Sequence, residues 1–445
     1  MIQFWLSPSV NRGISLRILF VTHNLIPRPT GSGSAIHVWS IISTLKDRGY
    51  QIDLINYGVT DFSPGEGWKN KEKETQASLL GSKGINVHIL PKVISLAVNS
   101  SSGYVGKVFN VIKHLFAPEP LDYYEGPLYQ KEIEKIVESC MVDAIIGYSF
   151  EAISACINIQ GITKLASVVD MDHLARKLRM RKQRSINPNT LARQFLADLM
   201  NIRMVSVETD LLKQCNLVFS HAAHHCRWLQ QNGLPNAVYL PVAVLDHAPK
   251  LLIKPTEASQ PLRIIMVGMV TGVATQRGLR ILIKEIIPAL DDARTNLEFE
   301  LHIIGAGELD TFTKKGLDRP WIKQRGFVQD IASEFMRSDV LLVPTPDTLG
   351  FRTRIAEGFS FGCCVVTHVA NTFGMPELSN DNNCLVGKNG AELSSAIIRC
   401  LNSRELRERL SSAARQTYIE KYDGKKVAER MASALEMVCY DGHLP

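Results

Sequence analysis

The densest chemistry in the chain lies in Leu349-Gly-Phe-Arg-Thr-Arg-Ile-Ala-Glu357-Gly-Phe-Ser-Phe-Gly-Cys-Cys-Val-Val-Thr-His368. This segment follows Asp339-Val-Leu-Leu-Val-Pro344, an apolar run that reads as a buried strand. Its first half reads as a helix opening on Gly350, and Gly-Cys-Cys-Val-Val-Thr reads as a turn and a strand. A glycine-bearing loop between a strand and a helix N-terminus forms an anion site, because unpaired N–H groups and the helix dipole converge there. Arg352 and Arg354 add two fixed positive charges, and Glu357 offers a carboxylate to a pair of ribose or sugar hydroxyls. A diphosphate carrying sugars matches that set. Residues two apart lie on different helix faces, so Arg354 either joins Arg352 at the site or points away from it.

Three further positions carry chemistry beside a plainer alternative. Arg277 reads as the start of the helix after a strand at Leu262 to Val267, where a cation would stabilise a departing diphosphate. Taken alone it is an exposed arginine; three arginines around one site carry more weight than each singly. Asp170-Met-Asp172-His173 follows a strand at Lys164 to Val169. His173 there can orient or deprotonate a hydroxyl, or the turn is simply a helix cap. In Pro29-Thr-Gly-Ser-Gly-Ser-Ala-Ile-His37, Gly31 and Gly33 allow close backbone approach to an anion or sugar, or form a flexible turn. Ile36 stands where the third glycine of a dinucleotide fingerprint would fall, so that motif is absent.

The elements that must position these groups repeat. Arg17 to Thr22 reads as a strand, Ser34 to Arg48 as a helix and Gln51 to Asn56 as a strand, a β-α-β unit of a parallel sheet. Further strands read at Ile85 to Leu90, Ala144 to Gly147 and Leu217 to Ser220. Val242 to Gln260 reads as a linker, after which a strand, a loop at Gly268 to Arg277, a helix at Gly278 to Leu290 and a strand at Glu298 to Ile304 restart the pattern. Two such arrays predict an α/β protein of two doubly wound, Rossmann-like domains facing a central cleft. The expected boundaries are 1–245 and 260–414, with a C-terminal helix from about 415 packing back on the first domain.

Composition limits the function classes. The chain has 445 residues, 45% of them hydrophobic and 21% charged, as in a globular protein of two domains. A net charge of +6 suits phosphates or an anionic membrane face but is too dilute for a nucleic-acid partner. Nine scattered cysteines without a CxxC pair support neither a zinc site nor a disulfide framework, so a cytoplasmic setting is expected. The Arg176 to Arg184 run has six basic residues in nine, and Tyr104 to Phe116 is amphipathic at helical spacing. They read as a solvated face and core, or as a peripheral contact with the inner face of a membrane.

The chain resembles the retaining glycosyltransferases of the GT-B fold, in the glycosyl-transferase group 1 (glycogen-synthase-like) family. That family's donor loop has the form Glu-Gly-Phe-Gly-x-x-x-x-Glu-Ala-x-Ala-x-Gly-x-Pro-Val-Val. Here it reads Leu349-Gly350-Phe351-Arg352, then Glu357-Gly358, then Gly362-Cys-Cys364-Val-Val366. The resemblance implies that Glu357 holds the nucleotide ribose and that backbone N–H groups of Gly350 and Phe351 face the diphosphate and sugar. Val328 in Arg325-Gly-Phe-Val328 lies against the base by the same token, His173 stands near the transferred sugar, and Gly31 and Gly33 near phosphates or acceptor. The family's Gly-Arg…Lys-Gly pair becomes Gly268-Met269…Arg277-Gly278, with Arg352 and Arg354 replacing the lost cation. The glutamate that contacts the sugar is Leu349, and the proline is Cys364.

The implied activity is hexosyl transfer from a nucleotide-diphosphate sugar to an acceptor hydroxyl, with retention, in polysaccharide or glycolipid synthesis. No cofactor and no obligatory metal are expected. The partners are the nucleotide sugar and a glycan or lipid-linked acceptor. Leu349 motivates an alternative, a non-catalytic nucleotide-sugar or glycan-binding partner protein, and a nucleotide-sugar epimerase is a third reading on the same architecture.

Overall fold

A computed structural model describes residues 16–29, 33–58, 78–90, 119–181, 188–246 and 261–440. The chain divides into two compact units, Met1–Leu240 with Val427–Pro445, and Pro241–Lys426. Gly31, the amphipathic stretch 104–116 and residues 247–260 lie outside the described residues, and within the basic run only the side chains of Arg176 and Lys177 are described. Among the described residues no helix is long and apolar enough to cross a membrane.

The first unit is built on a seven-stranded parallel sheet: β1 (Arg17–His23), β2 (Gln51–Tyr57), β3 (Asn86–Ile89), β4 (Ala144–Tyr148), β5 (Thr163–Val168), β6 (Leu217–Ser220) and β7 (Ala237–Tyr239). The order β3-β2-β1-β4-β5-β6-β7 reverses between β1 and β4. Ile18 to Thr22 are all buried, the unbroken apolar run of a strand covered on both faces. The helices are α1 (Gly33–Asp47), α2 (Gln130–Cys140), α3 (Ser149–Cys156), α4 (Asp172–Arg181), α5 (Pro188–Lys213) and α6 (Ala223–Gln231). Ile36, Trp39, Ile42 and Leu45 of α1 are buried, at the spacing of one helix face.

The second unit repeats the winding with β8 (Leu262–Val267), β9 (Phe299–Ile304), β10 (Ile322–Gly326), β11 (Val340–Val343), β12 (Val365–His368) and β13 (Leu385–Gly387), ordered β10-β9-β8-β11-β12-β13. Its helices are α7 (Val273–Ile281), α8 (Ile287–Ala293), α9 (Thr311–Gly316), α10 (Ile331–Met336), α11 (Thr353–Ser360), α12 (Gly390–Asn402) and α13 (Arg404–Thr417), while α14 (Gly424–Tyr440) carries the chain into the first unit. Alternate β8 residues feed two cores: Ile264 and Met266 pack with Leu301, Leu342 and Val366, whereas Ile265 packs with Leu341, Phe359, Tyr418 and Tyr422. Asp310, Asp330, Asn389 and Ser403 cap α9, α10, α12 and α13 by accepting from backbone N–H groups.

Four boundaries differ from the sequence reading. α7 begins at Val273, not Gly278, so Arg277 sits within a helix rather than at its start. The helix expected to open on Gly350 opens at Thr353, after Gly350 in a left-handed conformation at φ +66° and the cap Arg352. The helix expected across 415–431 is broken by a wide turn at Tyr418–Tyr422 and by Asp423. Tertiary bonds set that break: Tyr418 Oη donates to the Val244 carbonyl at 2.9 Å and Tyr422 Oη to Glu377 Oε2 at 2.9 Å. The expected linker begins as core, since Val242 and Val244 are buried in the second unit.

The first unit also buries two histidines. His221 Nε2 lies 2.8 Å from Ser167 Oγ and Nδ1 2.8 Å from the Leu240 carbonyl, which requires the proton on Nδ1. The His37 ring meets it edge-on at 4.4 Å. Burial pushes His221 down to about 4 and His37 well below its usual value. The stabilisation from a neutral ring is therefore present above the unfolded value near ~6.5 and is lost as pH falls towards 4. Glu151, pushed up to about 7 by burial, acts in the opposite sense. Comparing wild type with His221→Gln cancels its contribution. The stability advantage of wild type over that variant, from urea unfolding, should shrink by about 2–3 kcal/mol between pH 7.5 and 4.5. A pH-independent difference contradicts the buried neutral ring.

Candidate functional site

In the second unit the strand order reverses between β8 and β11, and a ligand crevice is expected at the carboxyl ends of strands flanking such a point. β8 runs into Gly268 (φ +145°) and β9 into Gly305 (φ +154°). The Gly268 N–H donates to the Ile304 carbonyl at 2.9 Å, and a Cβ on Gly305 would lie 2.0 Å from the Gly268 carbonyl oxygen. A Cβ on Gly268 would lie 2.6 Å from Arg354 Nη1. Only glycine tolerates both the conformation and the approach, so the two strand ends present bare backbone beneath a guanidinium.

Arg354 projects from the first turn of α11 across to α7, with Nη1 3.4 Å from Thr275 Oγ1. Of the two directions open to Arg354 in the sequence, the structure shows the one towards Gly268. Burial, then the neighbouring Arg352 charge, pushes the guanidinium down to about 10, while Glu357 opposes the shift. It remains charged at neutral pH. Glu357, three residues on in α11, is pushed up by burial and held back by Arg354. A desolvated cation with one long hydroxyl contact gains from an incoming anion.

The other two arginines are tied to the loop after β11. Arg277 Nε lies 2.9 Å from Oδ1 of the buried Asp347, with 40% of the arginine side chain exposed. Arg352 Nη2 donates to the Asp347 carbonyl at 2.9 Å, and Arg352 Nε to Asn371 Oδ1 at 2.9 Å. Asn371 Nδ2 in turn donates to Thr367 Oγ1 at 2.8 Å on β12. Arg352 thus anchors the loop to the next strand, while Arg277 is half in solvent. Asp347, Thr275 and Asn371 escaped sequence reading because a lone polar residue in a loop or helix carries no periodic signal.

Gly350 is buried, and the Phe351 ring packs edge-on against Tyr422 at 5.4 Å. Val328 follows β10 at its carboxyl end, packed against the core that holds Ile265. Gly326 before it accepts from the Gly305 N–H at 2.8 Å. Beside it Phe327 is 75% exposed.

In the first unit His173 stands on the first turn of α4, at the carboxyl end of β5. Its Nδ1 lies 2.6 Å from Glu208 Oε2, and its backbone N–H donates to Glu208 Oε1 at 2.7 Å. Glu208, on α5, is fully buried, and the Trp228 ring lies 5.5 Å from the His173 ring. Burial pushes Glu208 up, against the pull of His173. Gly33 opens α1. Towards the opposite end of the same sheet, Asp53, His88 and Cys140 bring one ligand atom each within 4.8 Å of one another. The Asp53 carboxylate already accepts from Arg17 Nε at 2.8 Å and Asn86 Nδ2 at 3.1 Å, so its charge is matched without a metal ion.

Residues 261–403 match the family model of the glycosyl transferases group 1. No curated protein matches the chain. A glycosyltransferase from Rickettsia africae superposes with a TM-score of 0.63 at 16% identity, over 96% of this chain and 99% of that one. HepE of Anabaena in complex with UDP-glucose gives 0.62 at 15% identity over 95% and 99%, and the lipopolysaccharide glycosyltransferase WaaG gives 0.59 at 13% over 94% and 99%. These likenesses establish the GT-B architecture expected from the sequence.

The contact between Gly268 and Arg354 is open to a double-mutant cycle. Gly268→Ala should destabilise the protein by about 1–3 kcal/mol in chemical denaturation, through φ and the clash together. In an Arg354→Ala background the cost should be smaller, leaving only the backbone part. Additive losses would place the guanidinium elsewhere.

Proposed function

We propose, from the match of residues 261–403 to the glycosyl transferases group 1 family model, that the chain moves a hexose from a nucleotide-diphosphate sugar to an acceptor hydroxyl with retention. The observation that supports this most is the Arg354 guanidinium over the bare backbone of Gly268 where the strand order reverses. A diphosphate seated there would meet a partly desolvated cation and the amino end of α11. Arg277 then stabilises charge on the departing diphosphate, in the role metal ions play elsewhere, so no obligatory metal is proposed. Glu357 accepts from the ribose hydroxyls, Gly350 and Phe351 present backbone N–H groups, Val328 lines the base side, and His173 addresses the transferred sugar. HepE binds UDP and UDP-glucose, which makes uridine nucleotides the first donors to test.

The decisive assay incubates the protein with radiolabelled UDP- and GDP-sugars and scores release of nucleotide or sugar transfer. Turnover of one donor is expected, and binding without any turnover assigns the chain to the non-catalytic reading that Leu349 favours. Binding of none overturns both.

Two variants divide the roles. Glu357→Gln should weaken the accepted nucleotide by about 1.5–3 kcal/mol in calorimetric titration, because a charge-assisted bond to the ribose is lost. Unchanged affinity removes Glu357 from the site. Arg277→Ala should lower kcat more than it raises KM, since its charge matters most as the diphosphate leaves. A change confined to KM contradicts that role.

A further inference from the structure

Glu208 lies 35 residues from His173 on a different helix, yet spends both carboxylate oxygens on it, one on the ring and one on the backbone N–H. Burying a whole carboxylate to cap a helix is costly, and Asp172 at the first position of α4 could serve that end locally. The expense has a second effect. With a carboxylate 2.6 Å from Nδ1, the imidazole carries its proton on Nδ1 and leaves Nε2 as a bare acceptor. Among the described residues Nε2 has no hydrogen-bond partner, and it is not a fully buried polar atom. Trp228 covers one side of the ring at 5.5 Å, so rotation is restricted.

We propose that Glu208 is a positioning residue: it fixes His173 in the Nδ1–H tautomer and aims Nε2 as an acceptor at a sugar hydroxyl. This rests on the transferase reading above. The ligand recognised is a neutral hydroxyl that donates, rather than a phosphate oxygen, which would need a protonated Nε2. The other groups around the pair, Asp172, Tyr124 and Glu151, form one electrostatic cluster with Glu208. A carboxylate at 172 or 151 adds negative charge beside the pair, whereas Tyr124 stays neutral because burial pushes its hydroxyl far up.

The tautomer is read directly from the nitrogen shifts of His173 in the intact, unliganded protein labelled with 15N-histidine, the resonance assigned by its loss in His173→Gln. Wild type should show Nδ1 protonated and Nε2 unprotonated at pH 8; the reverse pattern overturns the proposal with no variant needed. Glu208→Gln presents an amide that can donate to Nδ1, so it should shift the population towards Nε2–H. In the transfer assay kcat should fall about 10- to 100-fold with nucleotide affinity unchanged, as for other residues that orient a functional histidine. Glu208→Gln combined with His173→Ala should be no slower than His173→Ala alone. Wild-type kcat in Glu208→Gln, or additive losses, leaves Glu208 a helix cap and overturns the proposal. If no donor is turned over by wild type, the transferase reading falls, and with it the sugar hydroxyl as the target of Nε2. The spectra then still decide whether Glu208 sets the tautomer.

Discussion

A positive charge laid over bare backbone is the constraint around which the second unit is arranged. Arg354 can reach Gly268 only because residue 268 has no Cβ, because Gly305 lets β9 close against the Gly268 carbonyl, and because α11 begins at Thr353 rather than earlier. The loop from Pro344 to Arg352 sets that start. It is pinned at one side by Arg277 on Asp347 and at the other by Arg352 on Asn371. Three arginines that look equivalent in sequence therefore differ in surroundings: Arg352 is held on the loop, Arg277 lies beside Asp347 with part of its side chain exposed, and Arg354 lies over Gly268. Burial first and the Arg352 charge second lower Arg354, so a cation in that position would gain from an anion beside it.

The two units share a winding scheme, with the strand order reversing after the third strand in each. That scheme gathers loops at the carboxyl ends of the strands, where both candidate sites lie. The first unit holds its site by a different device, a fully buried carboxylate gripping an imidazole rather than a guanidinium over glycine. The contrast follows from the chemistry each is proposed to meet: charge in the second unit, sugar hydroxyls in the first.

Much of the fold was legible because parallel strands buried on both faces leave unbroken apolar runs. β1, β2, β6, β8 and β9 all read within two residues of their ends. β10 (Ile322-Lys-Gln-Arg-Gly326) was not legible, since an edge strand with four exposed residues has no apolar pattern. The short β7 and β13 offer three residues each, too few for any period. Helix starts were misread at Gly278 and Gly350 because glycine was taken as the boundary, whereas Gly278 packs inside α7 close to Met266 and Pro344. At the site, residue types were legible and directions were not. Helical spacing leaves the direction of Arg354 open, and a three-residue difference in the helix start is most of a turn. The Glu208 partner of His173 had no sequence signal, being 35 residues away in a helix of mixed character.

The central claim, that Arg354 rather than Arg352 meets the diphosphate, is tested most directly by calorimetric titration of UDP, or of whichever nucleoside diphosphate wild type binds, into Arg354→Ala and Arg352→Ala. The account predicts that Arg354→Ala loses about 1.5–3 kcal/mol of binding free energy, the worth of a charge-assisted contact. Arg352→Ala should lose clearly less, because its guanidinium is already spent on Asn371 and the Asp347 carbonyl. Equal losses, or wild-type affinity in Arg354→Ala, would contradict it.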